Sequence, residues 1–204
     1  MEKKTYINSY CKIEKNAIWL NGEKIFESKE IAFVEFAKEA YKNFDISYPK
    51  FFKMDSLSKI AFLASEIILK ETINPEMEND IALLFANKSS SLDTDVKYQK
   101  SISDKNEYFP SPAVFVYTLA NICMGEISIK NQLKSENCFF IFDAFNWDFM
   151  ANYSKILIET EKAEKVLCAW TELYQEDYEV FMYLVSAEGT LENTKENLEN
   201  LYKK

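Results

Sequence analysis

A chain of 204 residues that is 48% hydrophobic, 15% aromatic and 28% charged has the make-up of one globular domain. Its formal charge of −9, with no basic cluster, excludes nucleic acid as a partner, because that binding needs grouped Lys and Arg. No stretch is apolar for long enough to span a bilayer. The charged start Met1–Thr5 leads into alternation rather than a signal-peptide core, so a cytoplasmic location is the default.

The sequence contains no histidine. That excludes Ser-His-Asp and Cys-His hydrolases, the usual zinc sites and any histidine general base. With only three glycines, at 22, 125 and 189, no phosphate-cradling loop or dinucleotide fingerprint can form. Cysteines 11, 123, 138 and 168 make no C-x-x-C pair, and three of them lie in apolar segments, as buried thiols do. No metal and no cofactor is expected.

Residues 5–13 alternate apolar and polar, which predicts a strand. Ala17–Phe26 predicts a hairpin turning at Asn21-Gly22, since both positions tolerate positive φ. Ile31–Phe44 has a broad apolar stripe at helical spacing, interrupted at Tyr48-Pro49. A second helix follows Asp55 or Ser56 as its cap. Ile81–Ala86 reads as a buried strand and Asn87–Ser91 as a polar loop. Asp93–Glu107 reads as a mixed helix or an exposed loop.

The stretch Tyr108–Met150 is the most informative. Pro110 and Pro112 bracket a turn into Ala113–Lys130, apolar on nearly every turn and so expected as one buried helix. Cys138–Phe142 reads as a strand covered on both sides. Asp143 is a candidate N-cap for the next helix, Trp147–Thr160. Lys165–Trp170 and Tyr178–Val185 read as an antiparallel edge pair. Residues 191–204 read as a polar helical tail capped by Thr190. Strands alternating with helices argue for an α/β domain with a mixed sheet.

Two runs resemble β-ketoacyl-acyl-carrier-protein synthases, the ketosynthases. Lys53-Met54-Asp55-Ser56-Leu57-Ser58-Lys59-Ile60-Ala61-Phe62-Leu63-Ala64 is similar to their "[RK]-M-D-x-x-[ST]-[RK]-x-[AG]-x-x-A" run. Ser111-Pro112, Phe115, Leu119, Asn121, Gly125 and Ile127-Ser128-Ile129 are similar to "S-P-x-x-F…L-x-N-x-x-x-G-x-I-[AST]-I". The resemblance covers about residues 5–190. It implies the N-terminal half of the thiolase-like fold, a single domain over 1–204, at about half the family's length.

In the family the following strand ends in Thr-Ala-Cys, whose Cys accepts the acyl group, and the second half brings the histidines. Here the nucleophile position falls on Ala144 or, with a shifted match, on Phe145, and neither can carry an acyl group. The resemblance therefore implies a non-catalytic, chain-length-factor-like accessory subunit of fatty-acid, polyketide or polyene-type biosynthesis. Its expected partners are a second copy or a full-length ketosynthase, and an acyl-carrier protein. Ala113, Val114, Phe115, Asn121, Phe140, Phe142 and Asp143 are the candidate acyl-pocket or subunit-contact residues. The alternatives are a structural homodimer whose vestigial pocket is plugged by Phe145 or Trp147, and an enzyme of other chemistry using Asp143 beside Asp148.

Overall fold

The computed structural model describes residues 4–29, 31–106 and 108–203. Met1–Lys3, and with them most of the N-terminal leader reading, lie outside the described residues, as do Glu107 and Lys204 at the ends of two predicted segments. Among the described residues no helix is long and apolar enough to cross a membrane.

Strand β1 (Tyr6–Glu14) opens the chain, and β2 (Ala17–Leu20) and β3 (Glu23–Glu27) form the expected hairpin. Its turn places Asn21 at φ 52° and Gly22 at φ 86°, the two positive values that a type I′ turn needs. Helix α1 (Phe33–Asn43) buries Phe33, Phe36, Ala37 and Ala40 along one stripe. A 3₁₀ turn at Pro49–Lys53 leads into α2 (Ser56–Leu69). Asp55 caps α2 by accepting the Ser58 N–H at 2.9 Å, and its other carboxylate oxygen accepts the Thr94 hydroxyl at 2.8 Å. One short side chain thus satisfies an orphan helix donor and ties two helices together.

Strand β4 (Ile81–Asn87) is buried at every position, as a central strand with both faces covered must be. Helix α3 (Leu92–Ser103) resolves the mixed reading of that segment as a helix. Then come α4 (Pro112–Val116), α5 (Ile122–Asn131), β5 (Asn137–Ile141) and α6 (Trp147–Glu159). The chain ends with β6 (Lys165–Tyr174), β7 (Asp177–Ser186), the two-residue β8 (Leu191–Glu192) and α7 (Lys195–Lys203).

The sheet runs β3-β2-β1-β7-β6-β4-β5, with β8 added beside β1. β4 pairs in parallel with both β5 and β6, while β6 and β7 are antiparallel. One face packs on α1, α2 and α5 through Phe36, Ile60, Phe62, Phe85 and Met182. The other packs on α6 and α7 through Phe145, Met150, Trp170, Phe181 and Leu198. The result is an α/β/α layering on a mixed sheet.

Four expectations need correcting. The single buried helix over 113–130 is two helices, because hydrogen bonds at the break divert the helical ladder. The Ser91 hydroxyl takes the Thr118 carbonyl at 2.7 Å, and the Ile122 N–H turns to Leu119 instead. Nor is that stretch buried throughout: Phe115, Val116, Leu119 and Ile129 are exposed. The strand at 138–142 is covered on both faces only in part: Phe139 packs on one core and Phe140 and Phe142 on the other, but β5 lies at the sheet edge, exposed at both ends and half-buried between. β6 and β7 are not an edge pair, because β1 returns to pair along β7 and makes them central. Both are also longer than expected and meet in a tight turn where Gln175 has φ 59°.

Two caps move as well. Asn146, not Asp143, caps α6, accepting the Phe149 N–H at 3.1 Å. Thr194, not Thr190, begins α7, accepting the Asn197 N–H at 3.2 Å, while Leu191 and Glu192 pair with β1.

Candidate functional site

The first candidate is the open edge of β5. Toward β4, the Phe142 N–H donates to the Asn87 carbonyl and the Leu83 N–H to the Glu136 carbonyl, both at 3.0 Å. Even-numbered positions therefore spend their backbone groups on β4. Asn137, Phe139 and Ile141 point theirs the other way, where no strand pairs among the described residues. Such an edge is a template for another chain. Its surroundings are apolar: Ile141 is 51% exposed, Phe115 57% and Leu119 59%. A cleft of about 360 Å³ lies between strand and helices, lined by Leu119, Asn121, Met124, Phe139 and Ile141. The opposite edge, β3, instead carries exposed Glu23, Lys24 and Glu27, charges that discourage pairing.

The second candidate is the elbow between β5 and α6. A cleft of about 390 Å³ is lined by Phe142, Asp143, Ala144, Phe145, Asn146, Trp147, Asp148 and Lys195. Ala144 and Asp143 are exposed there, whereas Phe145 turns inward and is 7% exposed. Its ring lies 4.1 Å from Trp147, 5.7 Å from Trp170, 6.0 Å from Phe181 and 6.1 Å from Tyr202. Glu179 fixes that cluster from below, accepting the Trp170 indole N–H and the Tyr202 hydroxyl, each at 2.8 Å. Burial, and then that carboxylate, push the Tyr202 phenol well up. Asp148 is engaged by Lys195 at 3.3 Å. The elbow therefore offers carboxylates and a packed aromatic floor, with no thiol, hydroxyl or imidazole lining it. Among the described residues no cluster of three or more ligating side chains could hold a metal.

β5 divides the sequence-predicted residues into two groups. Ala113, Phe115 and Asn121 are exposed and Val114 half-buried on the α4–α5 side, the side of Phe139. Phe140 and Phe142 lie on the other face, stacked 5.9 Å apart and packed on Phe149 of α6. Asp143 and Ala144 follow at the elbow. Ile141 and Leu119 were missed as contact residues; the period-2 alternation of β5 was the signal that could have placed Ile141 on the same side as Phe139.

No family model matches the sequence, and no curated protein matches it. Solved structures do match. A structure of the ishigamide ketosynthase/chain length factor superposes with a TM-score of 0.64 at 13% identity, covering 90% of this chain and 62% of that one. The ketosynthase ApeO in complex with its chain length factor ApeC from Xenorhabdus doucetiae gives 0.58 at 13% identity, over 92% and 80%. A type II polyketide acyl-carrier protein in complex with its ketosynthase gives 0.63 at 11% identity, over 91% and 63%. This chain has the thiolase-like ketosynthase fold. It spans less than two thirds of the first of these chains, at 62%. Within that fold, the elbow after β5 holds both Ala144 and Phe145, the two positions to which the sequence resemblance assigns the family's nucleophile.

Proposed function

We propose that the chain is a non-catalytic, chain-length-factor-like accessory subunit in fatty-acid, polyketide or polyene-type biosynthesis. In this reading it pairs with a full-length ketosynthase, and the pair receives an acyl-carrier protein. The observation that carries the reading is the open β5 edge, framed by exposed Phe115, Leu119 and Ile141 on a ketosynthase fold. An edge strand with apolar flanks stays soluble when another chain covers it. The elbow supports the non-catalytic part: Phe145 is packed into its floor, and no thiol, hydroxyl or imidazole lines it. The neighbours that are ketosynthase/chain length factor pairs, and the one that holds a carrier protein, support the choice of partners.

The same Phe145 packing also favours a second reading, a structural homodimer whose old pocket is plugged. Asp143 as a catalytic acid has less support, since it is exposed at the elbow and the neighbouring Asp148 is engaged by Lys195 at 3.3 Å.

The test is light scattering on the chain alone, with a ketosynthase, and with that pair plus a loaded carrier protein. The accessory reading expects a complex with the ketosynthase that Leu119→Glu or Ile141→Lys abolishes. A chain that ignores ketosynthases and stays a stable monomer would sink it. A self-dimer broken by the same substitutions would favour the structural reading.

A further inference from the structure

The helix bend that exposes the partner face is held by a buried carboxylate. Glu126 lies on α5 and is 3% exposed. Its Oε1 accepts the Tyr117 hydroxyl and the Lys50 ammonium, each at 2.9 Å. Its Oε2 accepts the Tyr48 hydroxyl at 3.4 Å. The three donors come from different places. Lys50 is in the 3₁₀ turn, Tyr48 precedes that turn, and Tyr117 terminates α4. Tyr48 is itself fixed, stacked on Phe62 of α2 at 5.1 Å and donating its N–H to the Tyr41 hydroxyl at 2.7 Å.

Tyr117 occupies a special position. Of residues 115–119 it alone is buried, while Phe115, Val116 and Leu119 stand exposed around it. Its hydroxyl is therefore the inward anchor of the segment, with the Ser91 bond to the Thr118 carbonyl as a second tie. A buried carboxylate is costly unless paired. Here it is paired three times: Lys50 and Tyr48 tie α5 to the turn before α2, and Tyr117 ties the end of α4 to α5. A Leu or Met at position 126 could fill the space, but could not hold the bend in one direction.

We propose that Glu126, with Lys50, Tyr48 and Tyr117, is a positioning cluster that locks the α4–α5 bend and so presets the partner-binding face carrying Phe115 and Leu119. The assignment of that face to a partner rests on the accessory-subunit reading above; the locking of the bend does not. The cluster acts through geometry and touches no ligand. It lies under the face, on the opposite side of the segment from the exposed side chains.

The test uses the full chain and three variants, Tyr117→Phe, Lys50→Met and Glu126→Gln, with Lys53→Met as a surface control. Amide hydrogen exchange is read separately over 112–121 and over β4, β6 and β7. Hydrogen bonds to charged groups are worth more than neutral ones, so Tyr117→Phe should speed exchange over 112–121 about tenfold or more. The central strands should keep their rates, and ketosynthase binding should weaken by a similar factor. Unchanged exchange over 112–121 overturns the proposal. Equal loss of protection in β4, β6 and β7 also overturns it, since the cluster would then be ordinary core. If the parent chain binds no ketosynthase while the variants loosen 112–121, the lock stands and the accessory-subunit reading fails. Glu126→Gln keeps the side-chain shape, so it guards against a variant that does not fold.

Discussion

Replacing Phe145 by Ala tests whether the elbow is a packed floor or an open pocket. The ring is 7% exposed and touches four other aromatic rings, the nearest with its centroid 4.1 Å away. Buried Phe→Ala changes cost about 3–5 kcal/mol, from lost transfer energy and the cavity left behind. The elbow cleft lies on one side of this ring, so water can enter part of the space, and about 3 kcal/mol is the better figure. For a chain of this length each kcal/mol moves Tm by roughly 2–4 °C, so the expected drop is about 6–12 °C. Urea unfolding should give the same loss with an unchanged m-value. A small apolar compound such as benzene should then stabilise the variant but not the parent, because an apolar cavity admits apolar guests. A loss below about 1 kcal/mol would refute the packing argument, and with it the claim that Phe145 is the packed floor of the elbow.

Other predictions come from the same geometry. Ala144→Cys should place a thiol in the exposed elbow yet give no acylation by an acyl thioester above the rate of a free solution thiol, read by intact-mass spectrometry. A fast single acylation would show an activating group that the elbow does not reveal. In the native chain only half-buried Cys138 should react with a thiol reagent at pH 8, and all four thiols in denaturant. Burial pushes Cys11 and Cys168 up to about 12 and raises Cys123 further. Burial, and then hydrogen bonds to Glu126 and Glu179, raise the phenols of Tyr117 and Tyr202 above their ordinary value of 10.0. The unfolded chain therefore loses these protons first as pH rises: their stabilisation is complete below pH 10 and falls above it. The urea midpoint should drop as pH rises above 10.0, and Tyr202→Phe should flatten that drop.

Local chemistry made much of the fold legible. Asn21-Gly22 could only be a tight hairpin turn, and Asp55 before an apolar stripe could only be a cap or a loop residue. The unbroken apolar run Ile81–Ala86 demanded cover on both faces and received it. What was hidden depended on distant partners. Nothing within Lys165–Val185 says that β1 will pair along β7 and turn an apparent edge into the sheet centre. Nothing in 113–130 says that Ser91, far back in the chain, will take the Thr118 carbonyl and break the helix. The candidate site suffered most from this. Phe139 and Phe140 are adjacent in one informative stretch, yet β5 sends them to opposite faces, because side chains alternate along a strand.

In the accessory-subunit reading another chain covers β5, and the register it would impose bears on its nature. A second copy paired antiparallel about Phe139 would set Phe139 opposite Phe139 of that copy. It would also set Ile141 opposite Asn137, twice by symmetry. Cross-strand pairs stabilise when both side chains are apolar, and an amide facing Ile141 forfeits that gain. Two chains of charge −9 would also have to meet. A different chain can place an apolar residue against Ile141 and carry a less negative surface. Phe139→Cys in a Cys138→Ser background decides between them. In a self-pair the two new cysteines would face each other with Cα atoms about 5.5 Å apart, within disulfide range. The expected result is no disulfide dimer of the chain alone beyond that of an exposed control cysteine at Lys53. Rapid cross-linking at 139 would mean that the mismatch at Ile141 is tolerated, and that the edge pairs with its own kind.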